Sequence, residues 1–313
     1  MRSSMAKVFA LATISAAALL GCGKGSDTSP SPSPSPTPQS TSPQLAWSFV
    51  ASQTFSFTSD PQSANSKTQG IAYDAQSNTV IFSGNAGLER TDANFNRQAV
   101  NNAAIPATLR NTYGSDHIGC VDALQGEIFA PIEDGAGNYQ HPLLAKFKVS
   151  DLSFTGQVAV LPRDADQDDG VPWVAIDSAR GFAYTMKYNG ATKLNQFSLS
   201  SLWTGTPVRQ QLALSESLSR VQCGKVNGDY MYVLTDDANK SVKAINLSTG
   251  AVVPAFNLGD SLAQGHTWEA EGLAFFQTAN GGRLHLSATS SDTLLQNALS
   301  VTIPVAVTVF DFK

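Results

Sequence analysis

The chain has 313 residues and a mildly acidic balance, with 25 Asp and Glu against 20 Lys and Arg, for a formal charge of −5. It lacks the excess of positive charge that nucleic acid or an anionic lipid surface attracts, so both are set aside as partners of the folded part. With 42% apolar and 14% charged residues it can bury a sizeable core, and its three cysteines permit one disulfide.

In chain order, Arg2 and Lys7 precede an apolar run over residues 8–20, too short to span a bilayer, and small residues follow. This pattern is a secretory signal. The junction "LLGC" at residues 19–22 resembles the lipobox of bacterial lipoproteins, in which cleavage falls before the cysteine and the cysteine carries lipid. The resemblance implies that Cys22 becomes the first residue and that several acyl chains anchor an extracytoplasmic protein. Gly23, rather than Asp, directs such lipoproteins to the outer membrane where the cell has one. An ordinary secretory signal with an incidental cysteine is the alternative. Residues 26–44, "SDTSPSPSPSPTPQSTSPQ", favour extended polyproline II, a semi-rigid spacer that at about 3.1 Å per residue could reach roughly 60 Å. The expected organisation is therefore a signal peptide over 1–21, the lipidated cysteine and linker over 22–44, and one folded domain over 45–313.

Five segments of that domain superimpose: "QGIAYD" from Gln69, "HIGCVD" from His117, "PWVAID" from Pro172, "QCGKVN" from Gln222 and "EGLAFF" from Glu271, spaced by 48, 55, 50 and 49 residues. Four end in Asp or Asn and lead through turn residues into a second β-like run such as "TVIFSG" or "YMYVLTDD". Third runs follow, "LLAKFKV", "KLNQFSL" and "SVKAINL" among them, and helical periodicity is nearly absent. A unit of about four antiparallel strands with a period near 50 residues predicts an all-β, five-bladed β-propeller. A six-bladed ring with one degenerate blade and a β-sandwich with a coincidental period are the alternatives. The last unit has three clear runs, and the strand-like residues 44–57 precede the first unit. The N-terminal strand is thus expected to complete the last blade, closing the ring and removing an exposed edge. Cys120 and Cys223 fall in units set apart in the ring, so free buried thiols are expected in preference to a bridge.

In a propeller blade the start of the innermost strand lies beside the end of the second strand, on one face of the disc. That places Asp116, His117, Pro172, Trp173, Gln222, Glu269 and Glu271 with Glu133, Asp134, Lys187, Tyr188, Asp236 and Asp237 around one channel mouth. The loop "RDADQDDGVPW" adds Asp164, Asp166, Asp168 and Asp169, so with Asp292 twelve of the 25 acids gather there. Glu269 and Glu271 are then expected to line a wet mouth, since a buried unpaired carboxylate is costly. Asp116, His117, Glu133, Trp173, Tyr188, Gln222, Asp236 and Glu269 become candidate ligand-binding residues. Crowded carboxylates attract cations, and Ca²⁺ takes Asp, Glu and carbonyl oxygens, making Asp164, Asp166, Asp168 and Glu271 candidate calcium ligands. The spacing is not an EF-hand: Gly170 falls one place late, and Ala175 stands where the bidentate Glu belongs.

"QGIAYDAQSNTVIFSG" and "EAEGLAFF" resemble strands of bacterial extracytoplasmic propellers in the phytase-like, gluconolactonase-like and NHL-type superfamily, at the level of blade pattern over most of residues 68–290. The resemblance implies a calcium-holding role for Glu271, as in the enzymatic members. The chain lacks the dense Lys and Arg pocket that a phytase-like enzyme uses to hold phosphate. It also lacks GxSxG, HExxH and P-loop motifs, and its four histidines are scattered. The expected function is a membrane-anchored binding module presenting one face to a protein, glycan or small ligand, in preference to an enzyme. The alternative is a calcium-dependent hydrolase of a lactone or phosphoester.

Overall fold

The computed structural model describes residues 42–262, 266–292 and 304–313. The signal, the lipobox with Cys22 and most of the linker lie outside the described residues, and the described residues form one compact unit.

After β1 (Phe49–Ser56), the first blade comprises β2 (Gly70–Asp74), β3 (Thr79–Ser83), β4 (Leu88–Asp92) and β5 (Arg97–Asn101). The second contains β6 (His117–Ile118), β7 (Asp122–Leu124), β8 (Glu127–Glu133), β9 (Leu143–Lys148) and β10 (Phe154–Val160), with β6 and β7 sharing the innermost position along β8. The third is β11 (Ala175–Asp177), β12 (Phe182–Thr185), β13 (Ala191–Ser198) and β14 (Arg209–Leu218), and the fourth is β15 (Val221–Asn227), β16 (Tyr230–Thr235), β17 (Ser241–Asn246) and β18 (Val252–Asn257). The fifth joins β19 (His266–Phe275), β20 (Leu284–Asp292) and β21 (Pro304–Phe312) to β1, in the order β19-β20-β21-β1. The expected five-bladed ring, closed by the N-terminal strand, is the one observed.

Apolar residues fill the spaces between blades rather than a single centre. Ile81, Leu88, Ile118 and Ile132 pack between the first and second blades, and Phe129, Leu144, Val174 and Phe197 between the second and third. Tyr73 and Phe276 stack at 4.8 Å where the fifth blade meets the first. The glycines of the repeat are explained by how closely the inner strands approach. A Cβ on Gly70 would stand 2.6 Å from the Cys120 Cα, and one on Gly272 would stand 2.8 Å from the Ile71 backbone nitrogen.

The aspartates that end the repeat motif also have a structural role. Asp74 accepts the Gly126 N–H of the second blade, and Asp122 accepts the Ile176 N–H of the third at 2.7 Å. Asp177 pairs with Arg180, which reaches Asp229 in the fourth blade at 2.6 Å. Each ties its own inner strand to the next blade.

The expectation of free thiols is overturned. Cys120 and Cys223 form a disulfide with their Cα atoms 5.4 Å apart, joining the inner walls of the second and fourth blades. The second and fourth blades do not adjoin, yet five blades surround so narrow a channel that their inner strands meet at this level. Both cysteines are fully buried.

Candidate functional site

Around the channel, on the face where inner strands begin, lies a cleft of about 240 Å³ to which all five blades contribute. Gln69 comes from the first blade, His117, Glu133 and Tyr139 from the second, and Asp169, Pro172 and Tyr188 from the third and its entry loop. Gln222 and Glu269 complete the wall from the fourth and fifth. A neighbouring hollow of about 310 Å³ shares His117, Glu133 and Tyr139 and adds Asp116.

At the partition between the two, His117 is held from both sides. Its Nδ1 lies 3.1 Å from Glu133 Oε2 and its Nε2 lies 3.0 Å from Gln69 Oε1. The other oxygen of Glu133 accepts the Val171 N–H, which locks the carboxylate to the loop entering the third blade. The two tyrosines are harder to ionise than a free phenol. Burial pushes Tyr188 up to about 12, with Asp236, Glu269 and Glu271 adding to the rise against the pull of Arg220. Burial raises Tyr139 as well, reinforced by Glu133 and Asp169.

Two of the inner strands carry a β-bulge at this rim. The pairing of β15 with β16 slips by one residue between Val221 and Cys223, leaving Gln222 as the extra residue. The pairing of β19 with β20 slips between Ala270 and Gly272, leaving Glu271. A bulge re-aims the side chain it carries. Gln222 turns into the cleft and donates to Glu269 Oε1 at 3.3 Å. Glu271 is 2% exposed, and its Oε2 has no hydrogen-bond partner. It is therefore not a wet residue of the mouth, which corrects that expectation: the bulge sets it into the wall while Glu269, two residues earlier, stays exposed. Burial, reinforced by the charges of Glu269 and Asp236, holds the Glu271 carboxyl well above the usual carboxylate range. Partial burial and Asp236 raise Glu269 too, with Arg220 and Lys240 acting in the opposite direction.

Of the eight candidate ligand-binding residues, His117, Glu133, Tyr188, Gln222 and Glu269 come together in the cleft, and Asp116 borders the adjoining hollow. Trp173 is fully buried with its ring over Gly224, so its neighbour Pro172 lines the wall instead. Asp236 is buried at the rim, where it pairs with Arg220 and Lys240 and accepts the Ala270 N–H at 2.9 Å. Sequence reasoning left out Gln69 and Tyr139, and it set Asp169 and Pro172 at the mouth without making them ligand candidates. Gln69 and Pro172 each open a repeat segment, so the alignment of starts carried their signal, whereas Tyr139 sits in a loop with no periodic pattern.

Many of the acids crowded on this face brace its loops. Asp116 accepts the N–H groups of Gly135 and Ala136, and Asp169 those of Tyr188 and Asn189, so the same bracket recurs in two blades. The loop aspartates expected to hold calcium are each matched with a different cation: Asp164 with Arg209, Asp166 with Lys193 at 2.9 Å and Asp168 with Lys187 at 3.3 Å. They do not converge on Glu271, and among the described residues no three His, Cys, Asp or Glu side chains form a cage for a metal ion. The arrangement does not fit calcium, which takes six to eight oxygens.

No family model matches the chain, and no curated relative matches it. Among solved structures it is similar to the glutaminyl cyclase of Myxococcus xanthus, with 10% identity over 85% of this chain and 96% of that one and a TM-score of 0.51. It is also similar to a protein of unknown function from Bacteroides caccae, with 13% identity, 76% of each chain covered and a TM-score of 0.41. A nidogen/laminin complex matches with 14% identity over 66% of each chain and a TM-score of 0.43. At 10% identity the likeness to the cyclase is one of fold, the β-propeller.

Proposed function

We propose that this chain is a binding module of the cell envelope, exported and held by lipid on Cys22, whose propeller captures a small ligand of positive charge in the five-blade cleft. The observation that carries this reading is the lining itself. Three carboxyl groups, Glu133, Asp169 and Glu269, stand around the cleft with two tyrosine rings and two glutamines, and among the described residues no Lys or Arg side chain lines it. Low-dielectric walls of one sign focus the field on a cation, aromatic faces attract one, and the glutamines supply hydrogen bonds that fix orientation. Gln44, the last linker residue, and Trp47 line a separate hollow with Asn227, Phe275 and Phe276 at the inner-strand ends.

The test is a thermal-shift panel of small cations, neutral sugars and small anions on the soluble domain, run in parallel on Tyr188→Ala and Glu269→Gln. Cations should raise the melting temperature of the parent protein and do so less in both variants. A panel in which anions stabilise and cations do not would reject the reading. For the anchor, Cys22→Ala should move the full-length protein out of the detergent-rich phase, and unchanged partitioning would remove lipid from the account.

A further inference from the structure

The acceptor that the wall holds in reserve specifies the kind of cation. Glu271 is 2% exposed and its Oε2 meets no donor, in a protein whose neighbouring acids are nearly all matched. A buried acceptor left without a donor costs about 1–3 kcal/mol, so an arriving donor recovers that loss. Its surroundings show where a donor could come from. Glu269 lies on the same strand, Asp236, Arg220 and Lys240 face it from the fourth blade, and Tyr188 is within its electrostatic reach from the third. Arg220 and Lys240 are both committed to Asp236. The cleft side is left, where Glu269 and Tyr188 are lining residues and Gln222 donates to Glu269 in a long hydrogen bond of 3.3 Å.

We propose that the cleft takes a primary ammonium group, R–NH₃⁺, with Glu269 as its charged partner and Glu271 Oε2 as a second, buried acceptor reached when the Gln222–Glu269 contact opens. The inference rests on the cation-binding reading and makes it narrower. A compact ammonium offers three N–H donors on one atom. It can bond Glu269, Glu271 and a glutamine carbonyl together, whereas a quaternary ammonium of similar charge has no N–H and gains only the field and the aromatic faces. No bond is made or broken in this step.

The probes are n-butylammonium and tetramethylammonium, titrated calorimetrically into the soluble domain. The parent protein should bind n-butylammonium more tightly. Glu271→Met, of similar length and without an oxygen acceptor, should weaken n-butylammonium by about tenfold, as loss of one hydrogen bond to a charged group predicts, and leave tetramethylammonium within about twofold. Glu269→Gln should weaken both. A melting temperature no lower than the parent's for either variant shows that the fold is intact. Equal affinity for the two cations, or equal weakening of both by Glu271→Met, would overturn the ammonium assignment while the cation-binding reading stands. If neither cation binds, both fall together.

Discussion

At the scale of single residues, the fate of a carboxyl group here is decided by one slip of register. Without the bulge, Glu269 and Glu271 would share one side of β19, since strand side chains alternate. With it, one is exposed and the other is buried with an unmatched oxygen. A pH dependence follows. The folded state holds the Glu271 proton to higher pH than the unfolded chain does, so below the ordinary glutamate range both states are protonated and the residue contributes nothing. As pH rises above that range the unfolded chain loses its proton first, and the folded state is progressively destabilised until the buried carboxyl ionises too. Glu271→Gln removes this dependence. The stability difference between variant and parent should therefore grow in the variant's favour by up to ~1.4 kcal/mol per pH unit from about pH 4.5 upward, read from urea midpoints at several pH values. A difference that stays flat with pH would mean that Glu271 is not held protonated.

At the scale of elements, the inner-strand segments share an instruction: in four of the five a polar residue at the mouth and a glycine where strands touch, apolar residues for the gaps between blades, and in three an aspartate that reaches the next blade. Those features lie within six residues, which is why the repeat, the blade count and five of the eight candidate ligand residues could be read from spacing alone. What could not be read depends on three-dimensional closure. The bulge at Glu271 adds no sequence signal, the disulfide depends on how narrow the ring is, and the cations that neutralise Asp164, Asp166 and Asp168 come from positions 19 to 45 residues away. The inter-blade aspartates can be tested by a double-mutant cycle. At the end of the channel opposite the mouth, the buried Lys225 ammonium meets Asp122 at 3.0 Å and donates to the Val121 carbonyl. Desolvation lowers the Lys225 pKa, and Asp122 opposes that shift. Asp122→Ala leaves a buried cation unpaired and should cost about 3–5 kcal/mol, whereas adding Lys225→Met should recover at least ~1 kcal/mol of it. Strict additivity of the two changes in chemical denaturation would show that the pair is not a coupled unit.

At the scale of the whole molecule, the ring is closed twice, by β1 at its outer edge and by the disulfide at its centre. The first closure adds a fourth strand to the fifth blade and covers the outer edge of β21. The second ties the second and fourth blades across a separation of 103 residues. In the chain-entropy account, a loop of about that length restricts the unfolded ensemble by roughly 4.7 kcal/mol, and removal of native disulfides from small exported domains commonly costs about 2–5 kcal/mol. The double substitution Cys120→Ser and Cys223→Ser should lower stability by an amount in that range. Its effect should also reach the cleft. The bridge fixes the second blade, which carries His117 and Glu133, against the fourth, which carries Gln222, so loosening it spreads the walls that a small ligand must touch at once. Because both sulfurs are fully buried, dithiothreitol should leave the folded protein oxidised and act only as urea opens the ring. Thiol counting under native conditions and across the unfolding transition distinguishes the cases. Rapid reduction without denaturant, or a double variant as stable as the parent, would show that the centre of the ring is held by packing alone.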